Sequence, residues 1–413
     1  MNPSDICNEL YRLARTQPGE TLLDHHSGRR IWVVQNQQDA QWILKAHAGN
    51  WPKHMAWMRQ TLGPSRMSEN GSGWMARRSL TQPHFNHYDA EKTADAARRA
   101  LRQTLPALIA HTASGPLPDA LLRTMTLQVL SEVLFDIDFR QTGVDPQHLF
   151  ELLELSAQYA FVPAGDLAGD TRRRHLRLLN AAKARLMQDL RIFRSAEYAS
   201  KPVIREMLAA EAASRHLPDR FVLEQELITL LAAGSETSAS TFGWACHLLA
   251  QHPQVQEQLR DEASRPAAGS ALLDAFLSET MRLFPANPIL ARYALGEDRL
   301  SAGAVLPGDV ALVSLVGLQT QAGTGQRPWQ LSLPSSPSTE RTERSFGTAF
   351  GVGERVCGGR LFAITEMRTL VQELLLSARL QPIAHEPPDQ PLDMQWCSLM
   401  VRRGGHRLRI QAW

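Results

Sequence analysis

The stretch Phe350-Gly351-Val-Gly353-Glu-Arg355-Val-Cys357-Gly358-Gly359 decides how this chain is read. Glycines ahead of the cysteine permit tight turns with positive φ, and glycines after it let a flat ligand approach the backbone closely. The cysteine leads into an apolar helical pattern of Leu361, Phe362, Ile364, Met367 and Leu370. A helix N-terminus favours negative charge and lowers a thiol pKa, so Cys357 is expected to open that helix as a thiolate. Arg355, two residues earlier, is placed to meet a carboxylate. A lone cysteine is ordinarily a small buried hydrophobe; that reading leaves the other fixed residues of the stretch unexplained.

The rest of the chain sets the class. It has 413 residues, 43% hydrophobic and 21% charged, enough for an ample core. No segment reads as a linker between two cores, so residues 1–413 are expected to form one domain. A formal charge of +2 lacks the basic excess of a nucleic-acid binder, and no such partner is expected. The four cysteines, Cys7, Cys246, Cys357 and Cys397, lie far apart without CxxC spacing. They form no disulfide framework or zinc site and fit a reducing compartment. The N-terminal residues carry Asp5, Glu9, Arg12 and Arg15 among apolar ones, unlike a signal peptide or membrane anchor. No run reaches the roughly 18 apolar residues of a spanning helix. A cytoplasmic monomer without a membrane anchor is expected.

Along the chain, a helix-like start gives way after Gly28 to a strand at Arg30–Val34. A less regular stretch rich in Trp and Met runs from Trp51 to Met67. Most of the next two hundred residues have helical spacing, as in Leu127, Leu130, Val133 and Leu134. The longest helix is expected from about Pro218-Asp219 to Gln251, stopped by His252-Pro253. Its length is on the order of 50 Å. Gly, Ser and Thr crowd its middle, Ala233-Gly234-Ser-Glu236-Thr237, and invite a local distortion there. A second helix is expected over Ala271–Phe284, and strands at Val305 and Val310–Val313. The segment Gln319–Arg344 reads as loop, the last helix begins near Cys357, and Leu399–Val401 and Arg407–Ile410 read as a hairpin around Gly404-Gly405.

Three further patterns bear on chemistry. A hydroxyl and a carboxyl adjacent in the long helix, Thr237 and Glu236, could move protons. Taken alone this is weak, because helical Ser and Thr commonly bond the preceding turn. Glu279 and Arg282 lie at i and i+3 and can pair. Trp74 and Arg78 share a helix face, and both can donate to a carboxylate. His84 and His87 nearby are read as helix-end surface residues, since no further ligand set with metal spacing accompanies them.

With these residues in view, the chain resembles the cytochromes P-450. Their haem loop reads Phe-x-x-Gly-x-Arg-x-Cys-x-Gly, and Phe350 to Gly359 match every fixed position. The resemblance runs from Trp74 to Gly359, with all four motifs in the family's order. It implies a mainly α fold with a minor β part, a long central helix over the haem and the Cys-ligand helix beneath. It implies haem b, with Cys357 as the axial ligand of the iron, favouring O–O cleavage. Phe350 would pack against the ligand loop, and Gly351, Gly359, Ala233 and Gly234 would border the cofactor. Arg355, Trp74, Arg78 and Arg292 would hold the propionates. Thr237 and Glu236 would serve proton delivery, while Glu279 and Arg282 would be structural. The Asn-Arg-Asp-Pro-like and Pro-Glu-Arg-Phe-like segments of the family are not recognisable between Leu312 and Ser345, which leaves Arg341 or Arg344 as weak candidates for a third network member.

The implied activity is mono-oxygenation of a small, largely apolar molecule with two electrons from a ferredoxin or flavodoxin and its NAD(P)H-dependent reductase. These donors are expected to be separate, because the chain ends soon after the haem loop. The pocket would be lined by Met55, Trp57, Met58, Met67, Ala232, Asn287, Ile289 and Leu290. A haem-thiolate isomerase, dehydratase or peroxygenase would need no external electrons, and an intact Thr237 speaks against it. A haem sensor or carrier would give Glu236-Thr237 no purpose.

Overall fold

The longest helix sets the frame. The computed structural model describes residues 5–26, 29–160, 169–215, 220–265, 270–320, 328–334, 346–384, 386, 392–396 and 399–413. Leu223–Gln251 is one α-helix of 29 residues. It stops at His252 because Pro253 opens the next helix, Pro253–Ala263. The start expected at Pro218-Asp219 lies outside the described residues. The expected distortion is not there: helix continues through Ala233–Thr237. Ser235 donates to the Leu231 carbonyl at 2.6 Å, Thr237 to Ala233 at 3.0 Å and Thr241 to Thr237 at 2.9 Å. Each folds onto the preceding turn and leaves the backbone in place.

The long helix is buried along most of its length. It shares the main core with the helices Ala90–Thr112, Asp119–Leu130 and Arg360–Ser377, through fully buried Leu101, Leu127, Phe242 and Leu370. Each such side chain contributes about 1.5–3 kcal/mol by leaving water. Thr126 of the Asp119–Leu130 helix donates to the Ser235 carbonyl at 2.9 Å. Close contact there depends on Gly234, where an added Cβ would lie 2.6 Å from a Leu130 methyl.

The β part is small. Its strands are β1 Thr21–His26, β2 Arg29–Val34, β3 Ile289–Tyr293, β4 Asp298–Leu300, β5 Gly303–Val305, β6 Val310–Ser314, β7 Ala378–Pro382, β8 Met394–Trp396, β9 Met400–Arg402 and β10 Leu408–Ala412. The main sheet runs β1-β2-β6-β3, with β2 and β6 parallel and Ile31 opposite Val310. Trp32, Val34, Ala311 and Val313 of this sheet build a second core. β1 was not expected: Thr21-Leu-Leu-Asp-His-His lacks regular alternation, and pairing with β2 makes it a strand. The expected C-terminal hairpin is also corrected. β9 pairs β8 and β10 pairs β7. Gly404 and Gly405 do turn the chain, at φ 75° and 77°, but His406 at the turn bridges Leu117 instead, and the arms diverge.

Candidate active site

The cysteine loop is built by its own backbone. Gly351 and Gly353 both have φ of 74°, and an added Cβ on Gly353 would meet the Leu44 carbonyl oxygen at 2.5 Å. The Cys357 N–H then donates to the Phe350 carbonyl at 2.9 Å and closes the loop. The Phe350 ring meets Phe346 edge-on at 6.1 Å, and Gly359 lies against the Phe85 ring.

Of the described cysteines, Cys7 and Cys246 are buried and Cys357 is exposed. Burial nevertheless pushes the Cys357 thiol up, opposed by the Gly359 N–H, Arg66, Lys53 and Arg360. A side chain that is both exposed and desolvated has its free surface on an interior space. The lowered thiol expected from a helix N-terminus is therefore corrected. The helix begins at Arg360, so the sulfur stands outside its first turn, and desolvation is the largest influence on it. A coordinating metal cation deprotonates such a thiol outright.

The long helix carries its own opening. In its buried middle Ala233 is exposed, and Ala232, Gly234 and Thr237 are partly so. Thr237 and Glu236 point to different partners. The Thr237 hydroxyl lies on the Ala233 carbonyl. The Glu236 carboxylate receives Arg123 in a fork, at 2.6 and 2.9 Å, and Arg123 also donates to Glu154. Burial raises the Glu236 pKa against the pull of Arg123. Gly234 serves the contact with Leu130 described above.

Around the cysteine loop stands a set of cations. The Arg355 guanidinium lies 3.6 Å from the Trp74 ring centre, and donates to the Glu69 carbonyl and Asn70 Oδ1 at 3.1 Å each. Arg78 donates to the Glu354 carbonyl. Arg292 is buried on β3, and Lys53 bridges it across the backbone. Burial, then Arg292, Arg355 and Arg66, bring the Lys53 pKa down to about 7; Arg292 and Arg355 fall to about 10, burial first. Among the described residues, Lys53, Arg66, Arg78 and Arg292 form no ion pair with a carboxylate, and Arg355 has only Glu354 at 3.7 Å. Like charges held together in a poorly solvated place repel unless an anion joins them. The set fits a ligand bearing carboxylates. Sequence reasoning reached Trp74, Arg78, Arg292 and Arg355 but missed Lys53 and Arg66, because only backbone pairing and loop packing bring those two in.

Glu279 and Arg282 form a fork at 2.6 and 2.9 Å. Arg282 also donates to the Pro328 and Gln330 carbonyls, and Glu279 accepts the Ser332 N–H at 3.0 Å. The backbone of 328–332 thus completes the network. Arg341 and Arg344 lie outside the described residues.

The eight apolar-pocket candidates, Met55, Trp57, Met58, Met67, Ala232, Asn287, Ile289 and Leu290, are all partly exposed. Leu290 lies next to Gly351, the Met67 carbonyl accepts from Lys53, and Trp57 meets Trp396 of β8 edge-on at 6.0 Å. Met58 and Ile289 pack against the main core. Trp396 was missed, since nothing in its local sequence ties it to Trp57, 339 positions earlier. Also missed was Glu366, fully buried in the cysteine helix. It accepts from Ser238 at 2.5 Å, and burial pushes its pKa up to about 8. His84 meets Glu206 at 2.8 Å, and His87 caps its helix.

The model of the family described as Cytochrome P450 matches residues 2–409. The chain belongs to the cytochrome P450 family. This cytochrome P450 is 25% identical over 357 residues to a putative cytochrome P450 137 of Mycobacterium tuberculosis, covering 82% of this chain and 71% of the relative. It is 32% identical over 190 residues to a pentalenene oxygenase of Streptomyces avermitilis, covering 42% of each. Its fold matches the haem domain of a cytochrome P450DA mutant with a TM-score of 0.79 at 16% identity, covering 99% and 94% of the two chains. The mainly helical P450 fold expected from sequence is the one observed, and the chain is a haem-dependent P450 monooxygenase. Among the described residues no helix is long and apolar enough to cross a membrane.

Proposed function

We propose that residues 1–413 of this cytochrome P450 act as one domain that binds haem b through Cys357 and oxidises a small, largely apolar organic substrate. The observation that carries this reading is the exposed cysteine inside the fold, beside cations of which, among the described residues, Arg355 alone meets a carboxylate. Cys357 is the iron ligand, and Trp74, Arg78, Arg292 and Arg355, joined by Lys53, are the donors for the propionates. When bound, the haem supplies the redox centre at which O2 is reduced and cleaved.

The protein's own groups do the rest. Thr237 holds its proton on the Ala233 carbonyl and keeps lone pairs to accept another. Glu236, held by Arg123 and with its pKa raised by burial, is the carboxyl available to exchange a proton. The half-buried Met, Trp, Ile and Leu residues exclude water and hold an apolar molecule; similarity to a pentalenene oxygenase supports that class. Two electrons come from a ferredoxin or flavodoxin and an NAD(P)H-dependent reductase, in the cytoplasm, to a monomer. The test is spectroscopic. Purified protein is expected to carry one b-type haem, and its reduced CO complex to have the red-shifted Soret band of thiolate ligation. Cys357→Ala abolishes that band; its survival would place the ligand elsewhere.

A further inference from the structure

The residue after the cysteine is unusual in its surroundings. An added Cβ on Gly358 would lie 2.5 Å from Arg66 Nη2 and 2.6 Å from Gln82 Oε1. The space a side chain would take is thus filled by Arg66 and Gln82. Both are fixed: Arg66 donates to Thr81 Oγ1 at 2.7 Å and to Gln82 Oε1, and its guanidinium stands 5.8 Å from the Phe85 ring centre. Gln82 in turn donates to the Gly358 carbonyl at 3.3 Å. Thr81, Gln82 and Phe85 all belong to the helix Gly71–Asn86, which carries Trp74 and Arg78. Arg66 lies on the loop ahead of that helix, and no carboxylate pairs it among the described residues.

We propose that Arg66 is a positioning residue that sets a positive charge beside the Cys357 ligand and raises the reduction potential of the iron it holds. Gly358 is what admits the guanidinium. This rests on the reading of Cys357 as the iron ligand. The direction follows from charge. One-electron reduction of iron(III) to iron(II) adds a negative charge to the iron–thiolate unit, and a fixed cation nearby favours the reduced side.

The experiment is redox titration of haem-loaded wild type, Arg66→Gln and Arg66→Lys, with the reduced CO spectrum and the haem content of each. Arg66→Gln is expected to shift the iron(III)/iron(II) equilibrium about tenfold toward iron(III), a fall of ~59 mV for one electron. Arg66→Lys is expected to recover most of it, because charge rather than shape is responsible. An unchanged potential in Arg66→Gln, or an equal fall in Arg66→Lys, overturns the proposal. So does loss of haem from both variants, which assigns Arg66 to cofactor retention. A wild type without the thiolate-type CO spectrum would instead refute the reading of Cys357 itself.

Discussion

The Arg355 guanidinium stacks 3.6 Å from the centre of the Trp74 indole, and Arg78 stands 5.1 Å from the same ring. One aromatic side chain thus holds two like charges in place. An indole face attracts a guanidinium and fixes the plane of its fork without removing its donors. In the proposed function, the donors for a propionate are thus aimed before it arrives. Trp74→Leu is expected to cost about 1–2 kcal/mol of stability and to speed haem loss roughly tenfold, a change of about 1.4 kcal/mol. Urea unfolding and transfer of haem to apomyoglobin measure the two. An off-rate equal to wild type would remove the ring from the site.

Arg282 is tied on two sides, to the Glu279 carboxylate and to the carbonyls of Pro328 and Gln330. Removing it leaves Glu279 half-buried with only the Ser332 N–H in place of that charge. Breaking such a pair costs about 3–5 kcal/mol. Arg282→Ala should lose that much in denaturant, and Glu279→Ala/Arg282→Ala should lose less than the sum of the single changes. Strict additivity, or full stability in either single variant, would make the pair a surface feature.

Glu366 gives a pH signature. Its folded pKa, about 8, lies above that of an ordinary unfolded glutamate. The folded state therefore holds the proton more tightly. The contribution is fully present below about pH 4.3 and is lost as pH rises toward 8, at up to about 1.4 kcal/mol per pH unit. Glu366→Gln keeps a hydrogen-bonding partner for Ser238 and removes the proton. Its stability should fall less between pH 5 and 8 than that of wild type. Parallel pH profiles would show that the carboxyl titrates normally.

How much could be read from sequence depended on the range of the contacts. The cysteine loop was legible because its turn glycines and Cys357 lie within ten residues. Glu279 and Arg282 were legible because i and i+3 meet on any helix. Lys53 was not: it joins Arg292 only through a bridge between residues 239 positions apart. Gly234 was picked out by its motif, but that its missing side chain makes room for Leu130 could not be read from sequence. The C-terminal hairpin failed for a similar reason, since two glycines predict a turn but not which strands its arms will find.

The proposed role of Thr237 can be tested apart from binding. Its hydroxyl sits on the Ala233 carbonyl, at the opening in the long helix where Ala233 is exposed. Because the helix is unbroken there, the hydroxyl is not needed to hold the backbone in shape. Thr237→Ala should therefore keep the fold, the haem, the CO spectrum and near-normal substrate affinity. What it loses is a group that can accept one hydrogen bond while giving another. General acid–base groups contribute roughly 10²–10⁴-fold, and water can substitute for part of that. The variant should consume reduced nicotinamide through its redox partners at a comparable rate, release more hydrogen peroxide and form less product per electron. Thr237→Ser, which retains the hydroxyl, should restore most of the coupling. If Thr237→Ala couples electrons to product as well as wild type does, protons reach the site by another route, and the Thr237 hydroxyl has no part in delivering them.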